Sequence, residues 1–97
     1  MPEDTTLRVV AAVPLREDLC ELIETLEPRV RVIRDHRLTA PMRGPADWSG
    51  DPDFTRTPDE QRAFEEMVDS ADALFGIPDV DPAALARTVQ ANPRLRW

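Results

Sequence analysis

Apolar positions along the chain change period several times, and each change marks an element. Leu7 to Val13 (LRVVAAV) is almost continuously apolar and rich in valine, the pattern of a strand covered on both faces of a parallel sheet. Leu15, Leu19, Leu22, Ile23 and Leu26 then recur at helical spacing, with Arg16, Glu17, Asp18, Glu21 and Glu24 on other faces. Pro14 is expected at the first helical position, Glu17 and Asp18 suit the positive end of the helix dipole, and Pro28 stops the helix. Val30, Val32 and Ile33 form a second strand. Strand, helix and strand in quick succession imply a βαβ unit with parallel strands.

Periodicity is lost from Asp35 to Arg56, which carries Pro41, Gly44, Pro45, Gly50 and Pro52. A connection this long is expected to be a lid, a binding loop or a segment without fixed structure. Thr57-Pro58-Asp59-Glu60 restores order, with Thr57 as N-cap, Pro58 at the first helical position and Glu60 closing a capping box. Phe64, Met67, Val68 and Ala71 give that helix its apolar stripe. Asp72 to Ile77 reads as a third strand ended by Pro78. Asp81-Pro82 opens a third helix with Leu85, Ala86 and Val89 inward, closed by Asn92-Pro93, and Leu95 begins a fourth strand. The fold class expected is α/β, a three-layer parallel sheet of strand order 2-1-3-4. A chain ending on Leu95-Arg96-Trp97 is expected to be the opening portion of a longer protein whose sheet is incomplete here. The apolar surface of Leu74, Phe75, Leu95 and Trp97 is then expected to be partly uncovered and to favour a homodimer or other self-association.

Composition narrows the function classes. The 97 residues carry a formal net charge of −7, which disfavours polyanionic partners such as nucleic acid or an acidic membrane surface. No apolar run reaches the ~20 residues of a membrane helix, and the acidic Met1-Pro2-Glu3-Asp4 start is unlike a signal peptide. Cys20 has no second cysteine to pair with, so a cytoplasmic location is expected. All twelve basic residues are arginine.

Candidate chemistry concentrates where ligands gather in open α/β sheets, beyond the carboxyl ends of the strands. Three segments fall there: Pro14-Leu15-Arg16, Asp35-His36-Arg37 and Gly76-Ile77-Pro78-Asp79. Gly76 would let backbone approach a ligand, or would merely ease packing at a strand end. His36 beside Asp35 has the composition of a general base but lacks a nucleophile or second base, so no catalytic residue is assigned. Cys20 reads as a packing residue. Asp51-Pro52-Asp53 lacks the alternating ligands and closing Glu of a calcium loop, and no metal site is assigned. The chain has no GxGxxG fingerprint, no P-loop and no acidic pair after the first strand, so it holds neither a dinucleotide motif nor the acidic site of a phosphorelay receiver.

Asp72-Ala73-Leu74-Phe75-Gly76-Ile77-Pro78, a short helix, and then Asn92-Pro93-Arg94-Leu95-Arg96-Trp97 resemble the D-isomer-specific 2-hydroxyacid dehydrogenases. That family has a "DvLfG" strand, a helix and "NPxLRW" in the same order. The resemblance is best from Thr57 to Trp97. Leu7 to Arg34 fits the family's opening βαβ unit less specifically, and the loop from Arg37 to Arg56 is similar only to a subgroup of actinobacterial members. The resemblance implies the beginning of a flavodoxin-like substrate domain, with the NAD-binding domain and the catalytic Arg, Glu and His outside these residues. It implies that Gly76, Ile77 and Pro78 approach the carboxylate of a small-molecule 2-hydroxy or 2-oxo acid, and that NAD or NADP serves the whole enzyme while no cofactor is held by this segment. On that reading this segment alone is inactive and binds little. A small α/β module that pairs its open sheet edge with a protein partner is the alternative.

Overall fold

The computed structural model describes residues 6–44, 47 and 49–97. Three parallel strands form one sheet in the order β2-β1-β3: β1 (Leu7–Ala11), β2 (Val30–Ile33) and β3 (Ala73–Phe75). Helix α1 (Glu17–Leu26) connects β1 to β2, α2 (Pro58–Asp69) precedes β3, and α3 (Pro82–Ala91) follows it. The register sets Val9 opposite Val32 on one side and opposite Ala73 on the other. β1 is therefore the central strand, as its unbroken apolar run implies. The expected order thus holds for three strands.

A fourth strand is not formed among the described residues. Instead the segment after α3 lies along β3 through two backbone bonds, Arg96 N–H to the Asp72 carbonyl (2.8 Å) and Leu74 N–H to the Trp97 carbonyl (3.0 Å). Leu74 and Leu95 are half-buried against the core, whereas Phe75 and Trp97 are exposed. None of the helices of the described residues is long and apolar enough to cross a membrane.

One face of the sheet buries Val10, Ala12, Leu38, Phe64, Val68 and Ala71 beneath α2. The other buries only Ala11, Cys20 and Val32, with Leu15, Ile23 and Val30 around them. The stripe expected to face the core does so only in part, through Leu15 and Ile23. Leu19, Leu22 and Leu26 are 36%, 49% and 74% exposed, and Cys20 joins Leu15 and Ile23 against the sheet instead. A polar network fixes that rotation. Glu24 accepts the N–H of Val32 on edge strand β2 (2.9 Å), and Arg34 at the β2 end bonds both Glu24 and Glu17. Taking up an edge amide also blunts the open strand. Pro14 is not the first helical residue either: α1 begins after Arg16, which occupies the N-cap without a capping bond from its side chain.

The second helix starts as its sequence implies. Thr57 Oγ1 accepts the Glu60 N–H and Glu60 accepts the Thr57 N–H, a complete capping box behind Pro58. Helix α3 departs from expectation. Ala86 and Val89 are exposed, and Thr88 is the buried residue, its hydroxyl donating to the Ala84 carbonyl (3.0 Å). α3 packs sideways on α2 rather than squarely on the sheet, with Arg87 bridging to Asp69 at the rim (2.8 Å). Asn92 does more than end α3. Its buried amide donates to the Val68 and Ala71 carbonyls and so satisfies the C-terminus of α2.

The connection between β2 and α2 is anchored. Leu38 belongs to the core, Asp51 N–H donates to the Pro41 carbonyl (2.9 Å), and Gly50 adopts φ +77° against Ala40. A Cβ at Gly50 would lie 2.5 Å from that of Ala40, so the close approach needs glycine. Part of the expected loop, residues 45, 46 and 48, lies outside the described residues.

Candidate functional site

The carboxyl ends of the strands carry two separate arrangements, one on either side of the β1 end. The first is the β3–α3 loop. Gly76 has φ +90°, and a Cβ there would meet the Val13 side chain at 2.4 Å, so the loop turns directly against the end of β1. Pro78 is fully buried and opens a short 3-10 turn, Pro78–Val80. Asp79 and Val80 both lie in the left-handed region, at φ 57° and 51°. That region is costly for a β-branched residue, on the order of 1–2 kcal/mol.

Arg56 holds this turn in place. Its side chain is 7% exposed and its guanidinium makes a forked pair with Asp79, at 2.7 and 3.0 Å. It also donates to the Leu38 carbonyl (2.7 Å) and to Gln61 Oε1 (3.2 Å), and it stacks on the Phe64 ring with 3.7 Å to the centroid. One buried cation thereby links the long loop, α2 and the β3–α3 turn. The planar fork and the stacking are properties of arginine that lysine lacks. Neither the Gly76 nor the Ile77 amide donates to a backbone carbonyl among the described residues, and both residues are exposed. The loop thus leaves two N–H groups without a backbone acceptor at the sheet's carboxyl edge, beside strained and buried neighbours.

The second arrangement is a cleft of about 500 Å³ between the β1–α1 turn and the segment after β2. Pro14, Leu15, Thr39, Ala40 and Met42 line it, with Arg16, Glu17, Asp18 and His36 at its charged side. These charges are matched locally. Arg16 forks onto Asp18 (2.8 and 3.0 Å), and Glu17 takes both Arg34 and His36 Nε2, the latter at 2.9 Å. The Arg34 hydrogen bond, and then that of His36, hold the Glu17 carboxyl at about 2, below its ordinary 4.5. His36 is therefore the partner of a surface carboxylate. It stands at the β2 end, roughly 10 Å of strand spacing from β3 and so apart from the Gly76 loop.

Cys20 is buried, its thiol pushed up by burial, and its sulfur lies 3.9 Å from the Leu15 carbonyl, as suits a packing residue. In Asp51-Pro52-Asp53 the Asp51 carboxylate turns back to accept the Asp53 N–H (2.9 Å), and among the described residues no three His, Cys, Asp or Glu side chains converge as metal ligands. A dinucleotide does not fit the first βα turn. It lacks glycine, its helix opens on Glu17 and Asp18, and Arg16 is already committed to Asp18, so a pyrophosphate would meet two carboxylates.

The sequence pointed to Gly76, Ile77 and Pro78 but gave no sign of Arg56 or Thr39. Arg56 stands in an aperiodic stretch with no spacing relation to Asp79. The only hint is that an arginine directly precedes a capping box, which places it beside the helix start. No protein-family model matches the chain, and comparison with curated proteins and with solved structures likewise finds no match.

Proposed function

We propose that these residues form the beginning of the flavodoxin-like substrate domain of an NAD(P)-dependent oxidoreductase that moves a hydride to or from C2 of a 2-hydroxy or 2-oxo acid. The observation that carries this reading is the pair of open amides at Gly76 and Ile77, fixed at the carboxyl edge of a parallel sheet. Backbone N–H groups aimed from a rigid turn are suited to a carboxylate, because their dipoles need no reorganisation on binding. The resemblance of Asp72–Pro78 and Asn92–Trp97 to the dehydrogenase family supports the same loop. Pro78, buried and fixed in φ, anchors the turn directly after the two amides.

Nicotinamide binding and proton transfer are assigned to residues outside this segment, since the first βα turn here repels a pyrophosphate. The compartment proposed is the cytoplasm. The test is calorimetry on the 97-residue chain with NADH, then with 2-oxobutanoate. The expected result is no NADH binding, no turnover, and 2-oxo acid binding no tighter than millimolar. Tight NADH binding would overturn the placement of the nicotinamide site.

A second reading has its own observation. Trp97 is 87% exposed and lines one recess with exposed Val89, an apolar margin beside β3. A non-enzymatic module that pairs this edge with another chain, including a second copy, would use that margin. Light scattering tests the margin itself: a strict monomer at high concentration counts against pairing with a second copy, which the incomplete sheet of the first reading also favours.

A further inference from the structure

The cleft beside the β1–α1 turn is not used by the carboxylate reading, and it has the features of a preformed small-molecule site. Its outer wall is built rather than draped. Pro41 accepts from Asp51, the Leu38 carbonyl accepts from Arg56, and Ala40 is pinned by Gly50. The volume of about 500 Å³ lies within the usual range of ligand pockets, and the walls are mainly apolar.

Thr39 distinguishes this cleft from a crevice. The residue is 7% exposed, and its hydroxyl makes no hydrogen bond to a described residue. Yet no sealed side-chain oxygen or nitrogen among the described residues lacks a partner. Thr39 lines the cleft, and that is the open space offered to its hydroxyl. A hydroxyl left without a partner at the back of an apolar recess costs free energy, and a ligand atom that satisfies it recovers that cost.

Charge then selects the ligand. Glu17 and Asp18 stand at the cleft, and the basic side chains beside them, Arg16, Arg34 and His36, are already paired to those carboxylates. An anion would gain no free cation and would meet two carboxylates. We propose that this cleft binds a neutral small molecule with a compact apolar body and one hydrogen-bonding group, which pairs with the Thr39 hydroxyl. This site is independent of the 2-hydroxy acid reading.

The experiment is a ¹H–¹³C methyl titration of the 97-residue chain with 3-methylbutan-1-ol, and in parallel with 3-methylbutanoate, an anion of the same skeleton. The expected result is saturable shifts of the Leu15, Thr39 and Met42 methyls with the alcohol, and at least tenfold weaker binding of the anion. Thr39→Val keeps the shape and removes the hydroxyl, so it should weaken the alcohol about fivefold while leaving the fold's spectrum unchanged. If Thr39→Val unfolds the chain, 2-methylbutane replaces the variant, and it should bind the wild-type chain about fivefold more weakly than the alcohol. Non-saturable shifts, equal binding of the alcohol by Thr39→Val or of the hydrocarbon by the wild type, or an anion that binds as well as the alcohol would each overturn the proposal. None of these outcomes bears on whether a 2-oxo acid binds at Gly76.

Discussion

Beneath α2 the sheet meets Phe64, Val68 and Ala71, each 2% exposed or less, together with Val10 and Leu38. Beneath α1 it meets Cys20 and the half-buried Ile23, while three leucines of the same helix face outward. The α2 face is held by apolar volume. The α1 face is held by a small core plus the Glu17–Arg34–Glu24 network at its margin. The two candidate sites follow this division. The Gly76–Val80 loop is tied through Arg56 to the heavy face, whereas the cleft opens beside α1. A strained turn that must present two amides needs the rigid support, because strain persists only where the surroundings over-determine it. A cleft with apolar walls and matched surface charge does not.

The comparison is broken most severely from the α2 side. Phe64→Ala should cost about 4 kcal/mol, since it removes the largest fully buried side chain among the described residues and the platform beneath Arg56. Arg56→Met should cost about 3 kcal/mol by releasing Asp79 and leaving the Leu38 carbonyl without its donor. Urea unfolding measures both. Gly76→Ala should cost about 2 kcal/mol from the left-handed φ and the overlap with Val13.

On the α1 side the effects shrink. Cys20→Ala should cost about 1 kcal/mol, and Leu26→Ala should stay within about 0.5 kcal/mol, because Leu26 is 74% exposed. A Leu26→Ala loss near 2 kcal/mol would mean that the leucine stripe does face the sheet. The smallest effect is on pH. Glu17 titrates at about 2 in the folded chain against an ordinary 4.5, so its contribution is complete above pH 4.5 and fades as the pH falls toward 2. Glu17 is exposed, so salt should weaken this contribution. Amide exchange of α1 should rise on acidification before that of α2, and Glu17→Gln should abolish the difference in onset. Simultaneous onset in the wild-type chain would contradict the division.

The parts of this architecture that were legible are those set by local chemistry. The valine-rich β1, the parallel βαβ start and the Thr57 capping box each follow from neighbouring residues. The orientation of α1 was not legible. Of the stripe Leu15, Leu19, Leu22, Ile23 and Leu26, only Leu15 and Ile23 pack inward, and the contacts of Glu24 with Val32 and Arg34 turn Cys20 toward the sheet beside them. Those are tertiary contacts, with no trace in periodicity. Thr88 was hidden for a similar reason, since its hydroxyl is satisfied by its own helix and it can be buried like an apolar residue. Of the candidate site, glycine and proline marked the turn at Gly76–Pro78, but its support, Arg56, lies 23 residues from Asp79 and shows only in three dimensions.

The central claim is that the Arg56-supported turn presents the Gly76 and Ile77 amides to a carboxylate. A ¹⁵N–¹H titration with 2-oxobutanoate, against sodium chloride at equal ionic strength, tests it most directly. The account predicts shifts at Gly76 and Ile77 that exceed those of all other amides, that saturate in the millimolar range, and that are lost in a folded Asp79→Asn variant whose turn is released from Arg56. Shifts that match those of chloride, or that concentrate at the β2 end around His36, would contradict it.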